Sequence, residues 1–190
     1  TLVLHLNGIL TGSGEMRICD LPMDKSNLLK IREKIGIVFQ NPDNQLFCPT
    51  VLEDIAFGLV QRGDSREQVD LRVQKTLKSF DLTEYAGRSS YHLSQGEKKR
   101  VAIAAIMSMA PDIICFDEPF ANLDYRSIYR IIREIRALPI TRIIVSQDVL
   151  LTMAVCDRIA VLDQGKIVCV DTPASITRHH RNILKASGLD

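Results

Sequence analysis

The sequence predicts an α/β fold built on a mostly parallel sheet. Three observations carry that expectation. Ile113 to Phe116 and Ile143 to Val145 are uninterrupted apolar runs, the pattern of strands buried on both faces of a sheet. Segments of helical period separate such runs, so strands and helices alternate along the chain. Two acids, Asp117 and Glu118, close the first run, at the edge where open α/β sheets bind ligands.

The totals set limits. A chain of 190 residues fits one domain, 1–190, with a sizeable core. A formal net charge of +1 gives no bulk attraction for nucleic acid or anionic lipid. Cys19, Cys48, Cys115, Cys156 and Cys169 are dispersed with no close pair, which reads as reduced thiols in a cytosolic protein rather than a disulfide frame or zinc site. No apolar run reaches the roughly 18–20 residues that span a bilayer, so direct membrane insertion is not expected and any membrane role comes through a partner.

Taken in order, Thr1 to Gly8 reads as a helix with Gly8 at its end. Leu10 to Gly14 is a turn, Glu15 to Cys19 a short strand, Pro22 the start of a loop, and Leu28 to Lys34 a short helix. Ile35 to Gln40 is mostly apolar and reads as a buried strand that ends in the turn Asn41-Pro42-Asp43. Thr50 N-caps a helix from Val51 to Leu59, with Glu53 three residues on. Ser65 to Phe80 is amphipathic, with Val69, Val73, Leu77 and Phe80 at three-to-four spacing. Arg62, Arg66, Arg72, Lys75 and Lys78 read as a solvated helix face. Ser94 and Glu97 form a capping box for a helix over Gln95 to Met109, buried through Val101, Ile103, Ala104, Ile106 and Met107. The first turn of that helix has free amides and a positive dipole end that attract phosphate. Gly96 is expected to let a ligand approach the backbone, and Lys98, Lys99 and Arg100 to add positive charge. Tyr125 to Leu138 is a helix with Ile128, Ile131, Ile132 and Ile135 on its core side. Arg142 to Ser146 carries a strand. Arg158 to Leu162 and Lys166 to Val170 read as a hairpin around Asp163-Gln164-Gly165. Pro173 starts a short helix in which His179 and His180 are solvated. No Cys/His cluster has metal spacing.

Leu93-Ser94-Gln95-Gly96-Glu97 resembles the signature motif of ABC-type ATPases. Ile113 to Pro119 resembles their Walker B strand with its adjoining glutamate, and Asn122-Leu123-Asp124 their D-loop. In this context Gln40 matches the Q-loop glutamine. The run Phe39 to Phe47 resembles one branch, the ATPases of energy-coupling-factor and cobalt-type importers of metal ions or vitamins. The resemblance implies a P-loop NTPase-like ABC ATPase core with a small helical subdomain over 41–110. It also implies ATP and Mg2+ as cofactors. Asp117 would hold magnesium through water, with Gln40 reaching toward the same ion. Glu118 would orient or deprotonate the attacking water, Gln147 would face the γ-phosphate, and Ser94, Gly96 and Asp124 would contact nucleotide. The implied partners are a second ABC ATPase subunit, in a head-to-tail homo- or heterodimer, and a transmembrane transport subunit. The implied location is cytoplasmic, peripheral on the inner face of the cell membrane.

Two departures bear on turnover. The pattern Gly-x4-Gly-Lys-Ser/Thr of the Walker A loop occurs nowhere in the sequence. A fragment whose first strands and loop are absent and a truncated product are both open explanations. Little independent ATP binding is expected, together with poor solubility from uncovered strand edges. Gln147 stands where the family has a switch histidine; its amide can hydrogen-bond a γ-phosphate oxygen but cannot take up a proton at neutral pH as histidine can. Gln95 and Glu97 also replace a common glycine and glutamine. Three readings follow: an ATP-hydrolysing importer subunit, a non-hydrolysing partner that lends its signature to another ATPase, and, more remotely, a DNA-associated ATPase. The absence of sustained heptads between Gln40 and Leu93 argues against the last.

Overall fold

The computed structural model describes residues 2–189. In chain order the elements are α1 (Leu2–Leu6), β1 (Arg17–Ile18), β2 (Leu21–Pro22), α2 (Leu28–Lys34), β3 (Ile35–Val38), α3 (Val51–Arg62), α4 (Arg66–Ser79), α5 (Gln95–Ser108), β4 (Ile113–Asp117), α6 (Tyr125–Ala137), β5 (Thr141–Val145), α7 (Val149–Val155), β6 (Ile159–Asp163), β7 (Lys166–Asp171), α8 (Pro173–His179) and α9 (Arg181–Ala186). Short 3-10 turns occupy Pro42–Asn44, Thr83–Tyr85 and Ser90–His92.

The parallel sheet runs β3-β4-β5, with β4 central. Its register sets Val38 beside Phe116 and Phe116 beside Ile144, so all three C-terminal ends reach one edge. Side chains alternate between faces, as pleated strands require. Val38, Ile114, Phe116 and Ile144 join the larger core, which contains α3, α4, α5 and α6. Ile35, Ile37, Cys115, Ile143 and Val145 face the opposite layer, packed with Val3 and Ile31 from α1 and α2. The apolar runs are therefore continuous because both faces of the sheet are covered. On its far side β5 has no strand partner among the described residues, and a cleft of about 470 Å³ separates it from the β6–β7 hairpin. That hairpin packs separately, through Val161, on Ile176 and Leu184 of α8 and α9.

Caps set the helix starts. Thr50 with Glu53, Ser65 with Gln68 and Ser94 with Glu97 are complete capping boxes. α3 runs on to Arg62, where Gly63 at φ +87° closes it in the left-handed conformation that helix C-termini favour. Two expectations need correction, and one helix was not anticipated. Leu21–Pro22 is a strand paired with β1 rather than a loop. α7 forms after Ser146, its first turn capped by Asp148 accepting from the Leu151 amide. Arg62 is half-buried and reaches the Met109 carbonyl at 3.1 Å, while Arg72 approaches the Ser108 carbonyl at 3.4 Å. Their guanidinium groups thus serve the C-terminal end of α5, where a positive charge is favourable, instead of forming a purely solvated face.

α5 is the central element. Gly96, Lys98 to Ala104 and Ser108 are all buried. The helix lies so close to β3 that a Cβ at Gly36 would sit 2.2 Å from Ile106 Cγ2. Its three consecutive basic residues point inward. Arg100 Nε donates to Glu134 Oε1 of α6 at 2.6 Å, and its Nη2 donates to the Phe80 carbonyl. The second carboxylate oxygen, Glu134 Oε2, is buried without a hydrogen-bond partner. Burial pushes the Glu134 carboxyl above its usual range, against the pull of Arg100.

Breaking such a pair from one side leaves a buried charge alone. Arg100→Met is expected to destabilise the fold by about 3–5 kcal/mol in denaturant unfolding, and Arg100→Met/Glu134→Leu to recover most of that loss. A double variant no more stable than the single one would show that the pair does not act as a unit.

Candidate functional site

The shared edge of the parallel sheet gathers four of the residues singled out in the sequence. Gln40 lies two residues past the end of β3 and is exposed. Asp117 is the last residue of β4, Glu118 follows it, and Gln147 lies two residues past β5. Parallel pairing in this register brings the ends of neighbouring strands side by side, so these positions share one rim.

Glu118 is held from several sides. Its amide donates to the Val145 carbonyl at 2.8 Å. Ser146 Oγ donates to Glu118 Oε2 at 3.1 Å, and the Gln147 amide donates to Oε1 at 2.9 Å. Its backbone is left-handed, at φ +46°, a strained conformation for a residue with a Cβ that clusters at functional sites. Asp117 is half-buried, and its carboxylate accepts no hydrogen bond from any described residue. Asp117 and the Gln40 side-chain carbonyl are hard oxygen donors of the kind magnesium takes when phosphates and water fill its other positions. No group of three or more His, Cys, Asp or Glu that could hold a metal by itself occurs among the described residues. The donor set therefore fits a magnesium ion that arrives on a phosphate ligand.

A second surface lies at the start of α5. Ser94 is exposed and N-caps the helix: its Oγ accepts from the Glu97 amide at 3.3 Å and donates to Glu97 Oε2 at 2.7 Å. Glu97 also accepts from Tyr85 Oη at 2.9 Å, and the Ser94 hydrogen bond is the main cause that holds its carboxyl below the usual range. The cap uses the Glu97 amide and the helix uses the Lys98 amide, which leaves the Gln95 and Gly96 amides as the first-turn donors without a backbone or cap acceptor. Gly96 does not open space for a ligand as expected. It is buried, and a Cβ there would lie 2.4 Å from Ser127 Oγ and 2.8 Å from Ser127 Cβ, so the missing side chain lets α6 close on α5. Nor do Lys98, Lys99 and Arg100 stand free beside the turn. Lys98 binds Asp43 at 2.6 Å, Lys99 the Glu118 carbonyl at 2.9 Å, and Arg100 binds Glu134.

Positive charge comes instead from residues the sequence reading passed over. Arg126, Arg130 and Arg133 line a cleft of about 460 Å³ together with Ser94, Gly96, Ser127 and the Glu134-paired Arg100. Their spacing of four and then three places them on one face of α6, a signal present in the sequence. Asp124 N-caps α6, its carboxylate accepting from the Arg126 and Ser127 amides and from Ser127 Oγ. These bonds, Ser127 Oγ foremost, hold its carboxyl below the ordinary aspartate range. Asp124 thus orients the helix that carries the arginines and Ser127.

The segment after Gln40 is also anchored to α5. Asp43 meets Lys98, and Gln45 Nε2 donates to the Ala102 carbonyl at 3.2 Å. Buried Asp54 ties the same segment to α3: Oδ1 accepts from the Phe47 and Cys48 amides, and Oδ2 accepts from Ser90 Oγ at 2.6 Å. Beside it Phe47 and Phe57 meet edge to face, with centroids 4.8 Å apart, and both remain exposed. His180, expected to be solvated, lies 3.3 Å from Asp171 at the junction of α8 and α9.

Comparison with known proteins agrees with this geometry. The chain is 45% identical over 193 aligned residues to the energy-coupling factor transporter ATP-binding protein EcfA of Methanothermobacter thermautotrophicus; the match covers 98% of the chain and 62% of that relative. The chain thus spans less than two thirds of the relative's length. Among solved structures, CbiO1 of Clostridium perfringens, described as part of the ABC transporter complex CbiONQ, superposes with a TM-score of 0.85 at 34% identity over 97% of this chain and 76% of that one. The ATP-binding cassette MJ0796, solved as a dimer in a post-hydrolysis state with ADP and phosphate, superposes with a TM-score of 0.77 at 27% identity, over 90% of this chain and 79% of that one. The model of the ABC transporter family matches residues 1–121, and the chain belongs to that family.

Proposed function

We propose that the chain is the ATP-binding and ATP-hydrolysing subunit of an importer of the energy-coupling-factor type, with a metal ion such as cobalt or nickel, or a vitamin, as cargo. The observation that carries this reading is the meeting of Gln40, Asp117, Glu118 and Gln147 at one sheet edge, with Glu118 aimed by Ser146 and the Gln147 amide. In this role Glu118 takes the proton of an attacking water or orients it. Asp117, through water, and Gln40 would hold magnesium, which would supply charge neutralisation on the phosphates. The Gln147 side-chain amide would donate an N–H toward the terminal phosphate, its backbone N–H being engaged by Glu118 Oε1.

The signature turn serves a different nucleotide. Its free Gln95 and Gly96 amides, its exposed Ser94 and the nearby arginines suit a phosphate presented by a second ABC ATPase subunit in a homo- or heterodimer. That MJ0796 was solved as a dimer supports the arrangement. Residues 41–110 act as a helical subdomain in this reading. Its exposed Phe47 and Phe57, beside the anchored loop after Gln40, form the surface that docks on a transmembrane subunit. No helix of the described residues is long and apolar enough to cross a membrane. The protein would sit on the inner face of the cell membrane through that subunit, without nucleic acid as a partner. A second reading, a partner subunit that hydrolyses slowly or not at all at its own edge, is favoured by Gln147, which cannot take up and release a proton near neutral pH as a histidine does.

In the assembled transporter Glu118→Gln is expected to lower kcat at least about a hundredfold while nucleotide binding persists. Unchanged turnover would remove Glu118 from the chemistry. Gln147→His is expected to raise kcat several-fold; a rate equal to the parent would mean that the amide is no handicap.

A further inference from the structure

Lys99 is the residue the proposed mechanism leaves unexplained. It is 1% exposed, among the largest fully buried side chains of the protein. Its neighbours Lys98 and Arg100 each meet a carboxylate at 2.6 Å. Lys99 forms no ion pair within bonding distance among the described residues. Its Nζ, which carries three donors when charged, makes one hydrogen bond, to the Glu118 carbonyl at 2.9 Å. Burial brings its pKa down to about 8, with the carboxylates of Glu118 and Asp117 acting in the opposite sense. A charged group in such a place costs stability unless it is paired, and a methionine of similar length would remove that cost. Packing alone does not account for a lysine here.

The group it touches needs support. Glu118 has a left-handed backbone, and among the described residues its carbonyl otherwise accepts only a long bond from the Ala121 amide, at 3.3 Å. Rotation about the N–Cα bond of Glu118 carries its Cα–Cβ bond and its carbonyl together, so a tie on the carbonyl restrains the base of the side chain. We propose that Lys99 is a positioning residue: from the second turn of α5 it holds the Glu118 carbonyl, and thereby the turn that presents the Glu118 carboxylate to Ser146 and Gln147. The functional half of this statement rests on the hydrolytic role proposed for Glu118. The geometric half does not. Because α5 also begins with the signature turn, Lys99 fixes the distance between that turn and the Glu118 edge within one chain.

The test compares Lys99→Met and Lys99→Gln with the parent protein by melting temperature, by amide hydrogen exchange over residues 118–124, and by ATP turnover in the assembled transporter. Lys99→Met is expected to melt at or above the parent temperature, since a buried charge is gone. Its exchange over 118–124 should accelerate at least about tenfold with little change elsewhere. Its kcat should fall at least about tenfold with KM for ATP unchanged, the mark of lost alignment rather than lost binding. Lys99→Gln, which keeps a donor without the charge, should recover part of both effects. Lys99→Met that fails to fold or melts below the parent overturns the proposal, because the ammonium is then a structural tie. Unchanged exchange over 118–124 also overturns it, and so does faster local exchange with an unchanged kcat. A parent protein without ATP turnover in its transporter refutes the hydrolytic reading instead, and the exchange comparison still decides whether Lys99 holds the turn.

Discussion

A helix surrounded by protein has to satisfy every polar group it carries, and α5 carries three adjacent cations. That constraint organises the molecule. Lys98 finds Asp43 in the segment after Gln40, Lys99 finds the carbonyl at the end of β4, and Arg100 finds Glu134 on α6 together with the Phe80 carbonyl beyond α4. Successive helical residues point about 100° apart, so the three acceptors lie in three directions. They fix the helix against the loop, the sheet edge and the neighbouring helices at once. Close packing at Gly36 and Gly96 leaves it no room to slide.

One consequence is that the Ser94 turn and the Glu118 edge are not independent. The signature turn is the first turn of α5, and Glu118 is held from its second. α6 adds a further link: Asp124 caps it, Ser127 closes on Gly96, and Glu134 meets Arg100.

What the sequence made legible was local. Ser94 and Glu97, Thr50 and Glu53, and the apolar runs of β4 and β5 depend on residues a few positions apart, and each forms the element expected, although β5, at the edge of its sheet, is only half-buried. What remained hidden was long-range. Lys98 and Asp43 are 55 positions apart, and Arg100 and Glu134 are 34. A run of Lys-Lys-Arg after a helix start looks like a phosphate-facing patch until its acceptors are known. Gly96 misled in the same way. A glycine beside a candidate ligand site suggests space, but whether a ligand or another helix takes that space is a tertiary fact. Asp124 carried both meanings at once, a motif residue and an aspartate directly before a helix, and its side chain serves as the cap. α7 was missed because a seven-residue, almost wholly apolar stretch shows no period; only Asp148 marked its start.

The contact between Gly96 and Ser127 ties two distant positions into a single steric unit. Any side chain added at 96 demands that 127 shrink, and any bulk added at 127 presses on a backbone that cannot retreat from the capped turn. Randomising either site alone would leave few survivors, all of them small. Varying both together would reveal compensating pairs, with the combined volume at the crossing, rather than either identity, as the quantity held constant.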